Sequence, residues 1–502
     1  MASEKPEIPG YYYDTEKRRY FKIEKNGTAP NMAAWSLDNV KKRKLEDQEA
    51  VSAVRRMNLN KNRIVTASAL NDPLMGGFIA REFGEVRPDV PAASFARGLV
   101  EKGKLPLVDA RWNSNTNVKH MYIAGNDHKT GICTTYATID ELSLISSYIP
   151  RDSSGRVHRR LIENYVTPSH HVSPYRELAV PQISDIKYHE RSRKILVTSR
   201  SPSSEVSMWS FNPKVTKPHD PRPHWLIGHN GISLYLNMKA SGDIGFSDYA
   251  ANTVAPAPNG SNLICMVGTS RGLVSWDPSG PMRFASPWGP RQYYMGPDAF
   301  RDIFAVEFAR NQRDVVLFGG RPGKLFVGDM RVRADKWDSL ALPGSITHIR
   351  SVSENQALVA GLFNKLAMYD LRFAVKRYVK PIGASDDENG DLVKMQYANA
   401  SAPVLVFPEY RNLAHINIGF DYDPSTGVVA AAHDDGKVKL YSSRTGHSLR
   451  SRDVDNISST RGPIRSIQFQ TFPGDRTPTL FVGENSNINA YSFGVDNAED
   501  EA

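Results

Sequence analysis

The sequence predicts an all-β chain, a seven-bladed β-propeller preceded by an aromatic motif and a basic helical arm. Three observations carry that prediction. Lys324 to Arg331, Lys-Leu-Phe-Val-Gly-Asp-Met-Arg, recurs 41 residues later as Lys365 to Arg372, Lys-Leu-Ala-Met-Tyr-Asp-Leu-Arg, each copy behind a short apolar strand and a turn. That interval is the period of a four-stranded blade. The same strand, turn and strand recur seven times along the chain. About a dozen residues upstream of the later copies lie alternating segments, Ser345 to Arg350, His415 to Phe420 and Pro463 to Phe469. Alternation means one buried face, which suits the first strand of a blade.

Taken in order, residues 1–63 read as an arm. Five aromatics, Tyr11, Tyr12, Tyr13, Tyr20 and Phe21, flank a charged turn at Asp14 to Arg19. They predict a small hairpin that docks on a partner or on the protein's own rim, because a cluster of exposed aromatics needs a surface to bury against. Ser36 is placed as the N-cap of a charged helix over 36–57, free of proline and glycine. Its apolar residues form an irregular stripe, which makes it peripheral. Within it Lys41, Lys42, Arg43 and Lys44 form a nuclear-import candidate, with a solvated helix face as the alternative. Residues 64–103 read as a connector with scattered Gly, Pro and Ala.

The propeller is placed at 104–495. Its cassettes are Met121 to Ala124 with Gly131 to Tyr136, Ile195 to Thr198 with Val206 to Ser210, and Leu263 to Val267 with Leu273 to Asp277. The two quoted copies follow, then Val428 to Ala432 with Val438 to Tyr441, and Leu480 to Val482 with Ile488 to Ser492. Asp435-Gly436 in the sixth is a hairpin turn signal, because glycine accepts the positive φ the turn needs. Insertions are expected near 138–178, 281–298 and 383–412, and 496–502 is an acidic tail. After Phe493 nothing remains to make a fourth strand for the last blade. Leu105 to Asp109 is therefore expected to supply it, closing the ring and removing an open sheet edge.

Composition narrows the function. No run approaches the roughly 18 apolar residues of a membrane helix. The opening Met-Ala-Ser-Glu-Lys-Pro-Glu holds no signal-peptide core, and the two cysteines, Cys133 and Cys265, are isolated, so an intracellular, reducing compartment is expected. The formal net charge is +9, but residues 1–63 hold 14 Lys/Arg against 9 Asp/Glu. About half the basicity thus sits on the arm, which argues against a nucleic-acid-binding propeller face. No cofactor or metal is expected. Gly319 to Leu325 mimics a phosphate loop one residue short, with Leu in place of the magnesium-binding Ser or Thr. His170-His171 lacks the spacing and further ligands of a metal site. Neither a Gly-x-Ser-x-Gly elbow nor His-Glu-x-x-His occurs, so the chain is read as non-catalytic.

The cassettes resemble WD40 repeats, with Trp-Asp intact at Trp276-Asp277 and replaced by Gly328-Asp329, Tyr369-Asp370 and Tyr441-Ser442 in other blades. The opening Gly10-Tyr-Tyr-Tyr-Asp-x-Glu-Lys-x-Arg-Tyr-Phe21, a basic helix and a degenerate propeller together look like the WD-repeat protein 21 group of cullin-4-associated substrate receptors. The resemblance implies a propeller that docks on the damage-specific DNA-binding adaptor of a cullin-4 RING ubiquitin ligase and presents a protein substrate, itself unidentified, for ubiquitination. It further implies adaptor-binding Asp-x-Arg boxes at the ends of third strands, here Asp329 with Arg331 and Asp370 with Arg372. Ser442-Ser443-Arg444 breaks that pattern in the next blade. A nucleus-favoured distribution follows from the basic cluster. The rival reading is a nuclear scaffold for an RNA-processing or chromatin complex without ligase attachment.

Overall fold

The computed structural model describes residues 11–14, 19–23, 89–107, 117–124, 133–149, 175–180, 182–200, 208–211, 232–236, 250–278, 283–285, 302–374, 401–472 and 475–494. The chain separates into two units, Met1–Gly84 and Glu85–Ala502. In the first, β1 (Tyr11–Asp14) and β2 (Arg19–Lys22) pair antiparallel, Tyr12 opposite Phe21 and Tyr13 opposite Tyr20. The hairpin read from the aromatic cluster is thus present. The basic helix over 36–57, with Lys41 to Lys44, lies outside the described residues, as do His170 and His171.

The second unit opens with a helix, α1 (Val90–Arg97), and a strand, β3 (Leu99–Pro106). Seven four-stranded antiparallel sheets then account for the remaining strands. Blade 1 holds β4 (His120–Ala124), β5 (Cys133–Thr138), β6 (Ser143–Ile149) and β7 (Tyr175–Ala179). Blade 2 holds β8 (Ile183–His189), β9 (Lys194–Ser199), β10 (Met208–Phe211) and β11 (Ile232–Leu236). Blade 3 holds β12 (Ala251–Pro256), β13 (Cys265–Thr269), β14 (Gly272–Trp276) and β15 (Arg283–Phe284). Blade 4 holds β16 (Asp302–Phe308), β17 (Val315–Arg321), β18 (Lys324–Asp329) and β19 (Asp338–Ala341). Blade 5 holds β20 (Ile346–Ser351), β21 (Gln356–Gly361), β22 (Lys365–Asp370) and β23 (Leu405–Val406). Blade 6 holds β24 (Phe420–Asp423), β25 (Val428–Ala432), β26 (Val438–Ser442) and β27 (Ser448–Leu449). Blade 7 holds β28 (Ile467–Gln470), β29 (Thr479–Glu484) and β30 (Asn487–Phe493), and its fourth strand is β3.

The first strands touch in succession from β4 through β8, β12, β16, β20 and β24 to β28 and back to β4, so the ring is closed. Its core is divided among the blade interfaces. Seven separate hydrophobic clusters fill them, one for each pair of neighbouring blades. The middle strands read as continuous apolar runs because both of their faces are buried. In β17, Val316 and Phe318 pack toward blade 3 while Val315 and Leu317 pack toward blade 5. Period-two alternation sends successive side chains into different interfaces.

Closure uses the N-terminal strand, in a register with Leu99 opposite Phe493, Leu105 opposite Ile488 and Pro106 opposite Asn487. As the outermost strand of its blade, β3 tolerates a proline that has no amide to donate. The strand starts at Leu99 rather than Leu105, so part of the 64–103 stretch read as connector belongs to blade 7. α1 docks above it, burying Ala92, Phe95 and Ala96 in the cluster between blades 6 and 7. The Phe95 ring stacks on Phe493 at 6.3 Å.

Four further expectations need correction. In blade 1 the pair at Met121 to Tyr136 forms the first and second strands, and the third, β6, lies inside the stretch read as the 138–178 insertion. Its Ser-Leu-Ile-Ser-Ser-Tyr-Ile lacks the apolar run of the other blades, which hid it. Likewise β15 and β23 lie within the stretches near 281–298 and 383–412 and complete blades 3 and 5. The first strands of blades 6 and 7 begin at Phe420 and Ile467, later than the alternation suggests. In blades 2 to 5 a bulge interrupts the ladder just after the first strand begins. In blades 6 and 7 regular pairing begins only later in that strand. At Asp435-Gly436 only Gly436 takes a positive φ, +80°, so that turn is longer than two residues. In blade 5 the three-residue turn Leu362 to Asn364 takes positive φ at Phe363 and Asn364.

Candidate functional site

The two Asp-x-Arg boxes occupy equivalent positions at the ends of β18 and β22, the third strands of neighbouring blades, and so lie on the same rim. In each, the strand ends in a tight turn whose first amide is held by a preceding loop, Met330 N–H to the Asp314 carbonyl at 2.8 Å and Leu371 N–H to the Asn355 carbonyl at 2.7 Å. The aspartate caps that turn. Arg331 N–H donates to Asp329 Oδ1 at 2.9 Å, and Arg372 N–H to Asp370 Oδ1 at 3.0 Å. Each of these carboxylates also clamps the guanidinium of its own box. Arg331 Nε and Nη2 donate to Asp329 Oδ1 and Oδ2 at 2.9 and 2.7 Å, and Arg372 Nε and Nη2 donate to Asp370 Oδ1 and Oδ2 at 3.0 and 2.5 Å.

Such a fork-to-fork pair fixes the plane of the guanidinium as well as its charge. Both arginine side chains remain 68% exposed, whereas the Asp370 side chain is only 5% exposed. The hydrogen bonds from Arg331 and Arg372 hold the Asp329 and Asp370 carboxyls below the usual carboxylate range and raise the arginines in turn. Asp329 is tied in further through its carbonyl, which accepts from Trp337 Nε1 at 2.9 Å. Each box therefore offers an oriented cation at the surface with its Nη1 group unengaged among the described residues. In blade 6, Ser442 Oγ accepts from Arg444 N–H at 3.3 Å. The hydroxyl keeps the turn but cannot itself form the fork-to-fork pair of the other two boxes, so the break in the motif is a break in the geometry.

Each arginine is followed by an exposed apolar side chain, Val332 at 44% and Phe373 at 72%. Sequence reading passed over both, since a lone apolar residue after a strand end carries no signal until its exposure is known. In the N-terminal hairpin Tyr20 is exposed and Phe21 half-buried. That hairpin belongs to the other unit. At the ring axis the first strands enclose a cavity of about 540 Å³. Its charges pair largely with one another: Arg350 Nε donates to Asp421 Oδ1 at 2.9 Å, with Glu307 also within reach of Nη1 at 3.4 Å. Asp185 Oδ2 accepts from Thr253 Oγ1 and Val254 N–H. No cluster of metal-ligating side chains occurs among the described residues. No helix among them is long and apolar enough to cross a membrane.

No family model matches the sequence, and no curated protein matches it. Among solved structures, the WD40 β-propeller domain of Doa1 is similar at 10% identity and a TM-score of 0.45, over 79% of this chain and 98% of that one.

Proposed function

We propose that the chain is a non-catalytic protein-interaction subunit, a substrate receptor that docks on the damage-specific DNA-binding adaptor of a cullin-4 RING ubiquitin ligase. The observation that carries this reading is the doubled clamp at Asp329–Arg331 and Asp370–Arg372, which sets two oriented guanidinium groups and two exposed apolar neighbours on one rim. Oriented arginines beside apolar anchors are what dominant interface contacts are made of. A planar fork held by its own aspartate loses little further freedom when it meets a partner's carbonyls or carboxylates. The resemblance of the Gly10 to Phe21 opening to the WD-repeat protein 21 group supplies the identity of the partner. The face left free by this docking, and the N-terminal hairpin, are available to a protein substrate.

The test is adaptor co-purification from cells expressing the full chain. Arg331→Ala with Arg372→Ala is expected to abolish it, each truncation costing on the order of thirtyfold in affinity. The melting temperature should move little, because both side chains are mostly solvent-exposed. Arg372→Lys alone should already weaken capture, since an ammonium cannot reproduce the bidentate fork. A folded double variant that retains the adaptor in full would sink the ligase reading.

A further inference from the structure

The cavity on the ring axis is not evenly compensated. Where the first strands begin, Lys119 Nζ and Arg465 Nη1 both rely on one carboxylate, Glu141, at 3.4 and 3.5 Å. Arg200 follows β9 in blade 2, yet its Nη2 donates to Asn417 Oδ1 of blade 6 at 3.1 Å. Those blades are not neighbours, so the Arg200 side chain lies across the channel. Among the described residues its Nε is buried with no acceptor, and Nε2 of His120, which lines the axial cavity with Lys119, Asn417 and Arg465, is buried with no partner. Two buried nitrogens without partners among the described residues, one on Arg200 and one on His120, beside Lys119 and Arg465 on their shared carboxylate, form an incomplete polar site. A buried guanidinium left short of acceptors is costly, and an anion entering there would be bound by charge-assisted hydrogen bonds.

We propose that this end of the channel binds a small diffusible polyanion, a molecule carrying two or more carboxylate or phosphate groups. Arg200 and His120 would supply its hydrogen bonds, and Lys119 and Arg465 the surrounding positive charge. The Glu141, Asp185 and Asp302 carboxylates oppose the effect of burial on Arg200, while Arg465 adds to it. An anion would relieve the repulsion between the two arginines. Deeper in the cavity Arg350 is already paired with Asp421. The inference stands apart from the ligase reading, because the clamp residues lie at the opposite ends of the blades, where third strands finish.

Citrate serves as the probe, titrated into the full chain at constant ionic strength with sodium chloride as the balancing salt and followed by calorimetry and thermal unfolding. A saturable isotherm and a saturable rise in melting temperature are expected. Arg200→Gln should weaken citrate binding at least tenfold. Lys119→Gln with Arg465→Gln should do the same without touching the buried guanidinium, which keeps the test decisive if the first variant folds poorly. Arg331→Ala with Arg372→Ala should bind citrate as the unaltered chain does. Non-saturating behaviour that chloride reproduces, or equal citrate binding by the Lys119/Arg465 variant, overturns the proposal.

Discussion

A chain beginning at residue 115 is expected to lose its cooperative unfolding transition or to aggregate, whereas one beginning at residue 85 should unfold as the full propeller does. The first lacks β3, and with it the outer edge of blade 7 and the buried side chains of Leu99, Leu105 and Leu107. Leu105 and Leu107 belong to the cluster that joins blade 7 to blade 1, so their loss opens the ring at its seam. It also bares the β30 edge, a template for pairing with another chain. A chain beginning at residue 98 separates two contributions. It keeps the strand but loses α1, whose Phe95 lies against Phe469 and Phe493 in the cluster between blades 6 and 7. That chain should remain folded with a lowered transition, and Phe95→Ala in the full chain should alone cost about 3–5 kcal/mol. Differential scanning calorimetry of the three truncations and the point variant decides the matter. Equal stability for the chains starting at 85 and 115 would refute closure through β3.

What could be read in advance depended on how each blade buries its strands. The second and third strands of blades 4 and 5 were legible, since Val315 to Phe318 and Ala357 to Ala360 are buried on both faces and their Asp-x-Arg ends recur at one period. Blade 1 was legible only in part, because β6 carries serines where the other third strands carry aliphatics. Outer strands such as β15 and β23 pair through two residues each and leave almost no pattern. α1 escaped notice because only eight residues, one of them proline, carry it. Within the candidate site, the Asp-x-Arg boxes were visible as a motif, while the exposure of Val332 and Phe373 was not. The channel cluster was invisible for a different reason. His120, Arg200, Asn417 and Arg465 are scattered over the chain, and only closure of the ring brings them to one axis.

Acidification should weaken the propeller well before the carboxylates titrate. His120 and His348 both line the channel, and burial lowers each imidazole to about 3 from an ordinary value near 6.5. Arg200, Arg465 and Lys187 reinforce the effect at His120, and Arg350 and Lys187 at His348, with Asp185 opposing it at both. A base depressed in the folded state binds its proton preferentially in the unfolded chain. The stability it permits is therefore complete above about pH 6.5 and is lost as pH falls toward 3. Between pH 7 and pH 5 each ring can remove at most about 2 kcal/mol, reduced by whatever solvent enters the channel to screen it. Burial raises the Glu307 carboxyl, a penalty at neutral pH that is relieved as pH falls through its raised value into the ordinary carboxylate range, so it offsets part of the imidazole loss. Asp185 is held low by Lys187 and by the bonds from Val254 and Thr253 against its own burial, and adds to the loss in that same range. From pH 6.5 downward the imidazoles therefore destabilise the ring while Glu307 opposes them. Urea midpoints measured from pH 6.5 to 5 should fall for the unaltered chain, and His120→Asn with His348→Gln should flatten that limb while leaving the slope below pH 4 in place. An equal slope in both proteins would mean that the rings are solvated in the folded ring and that the acid sensitivity arises elsewhere.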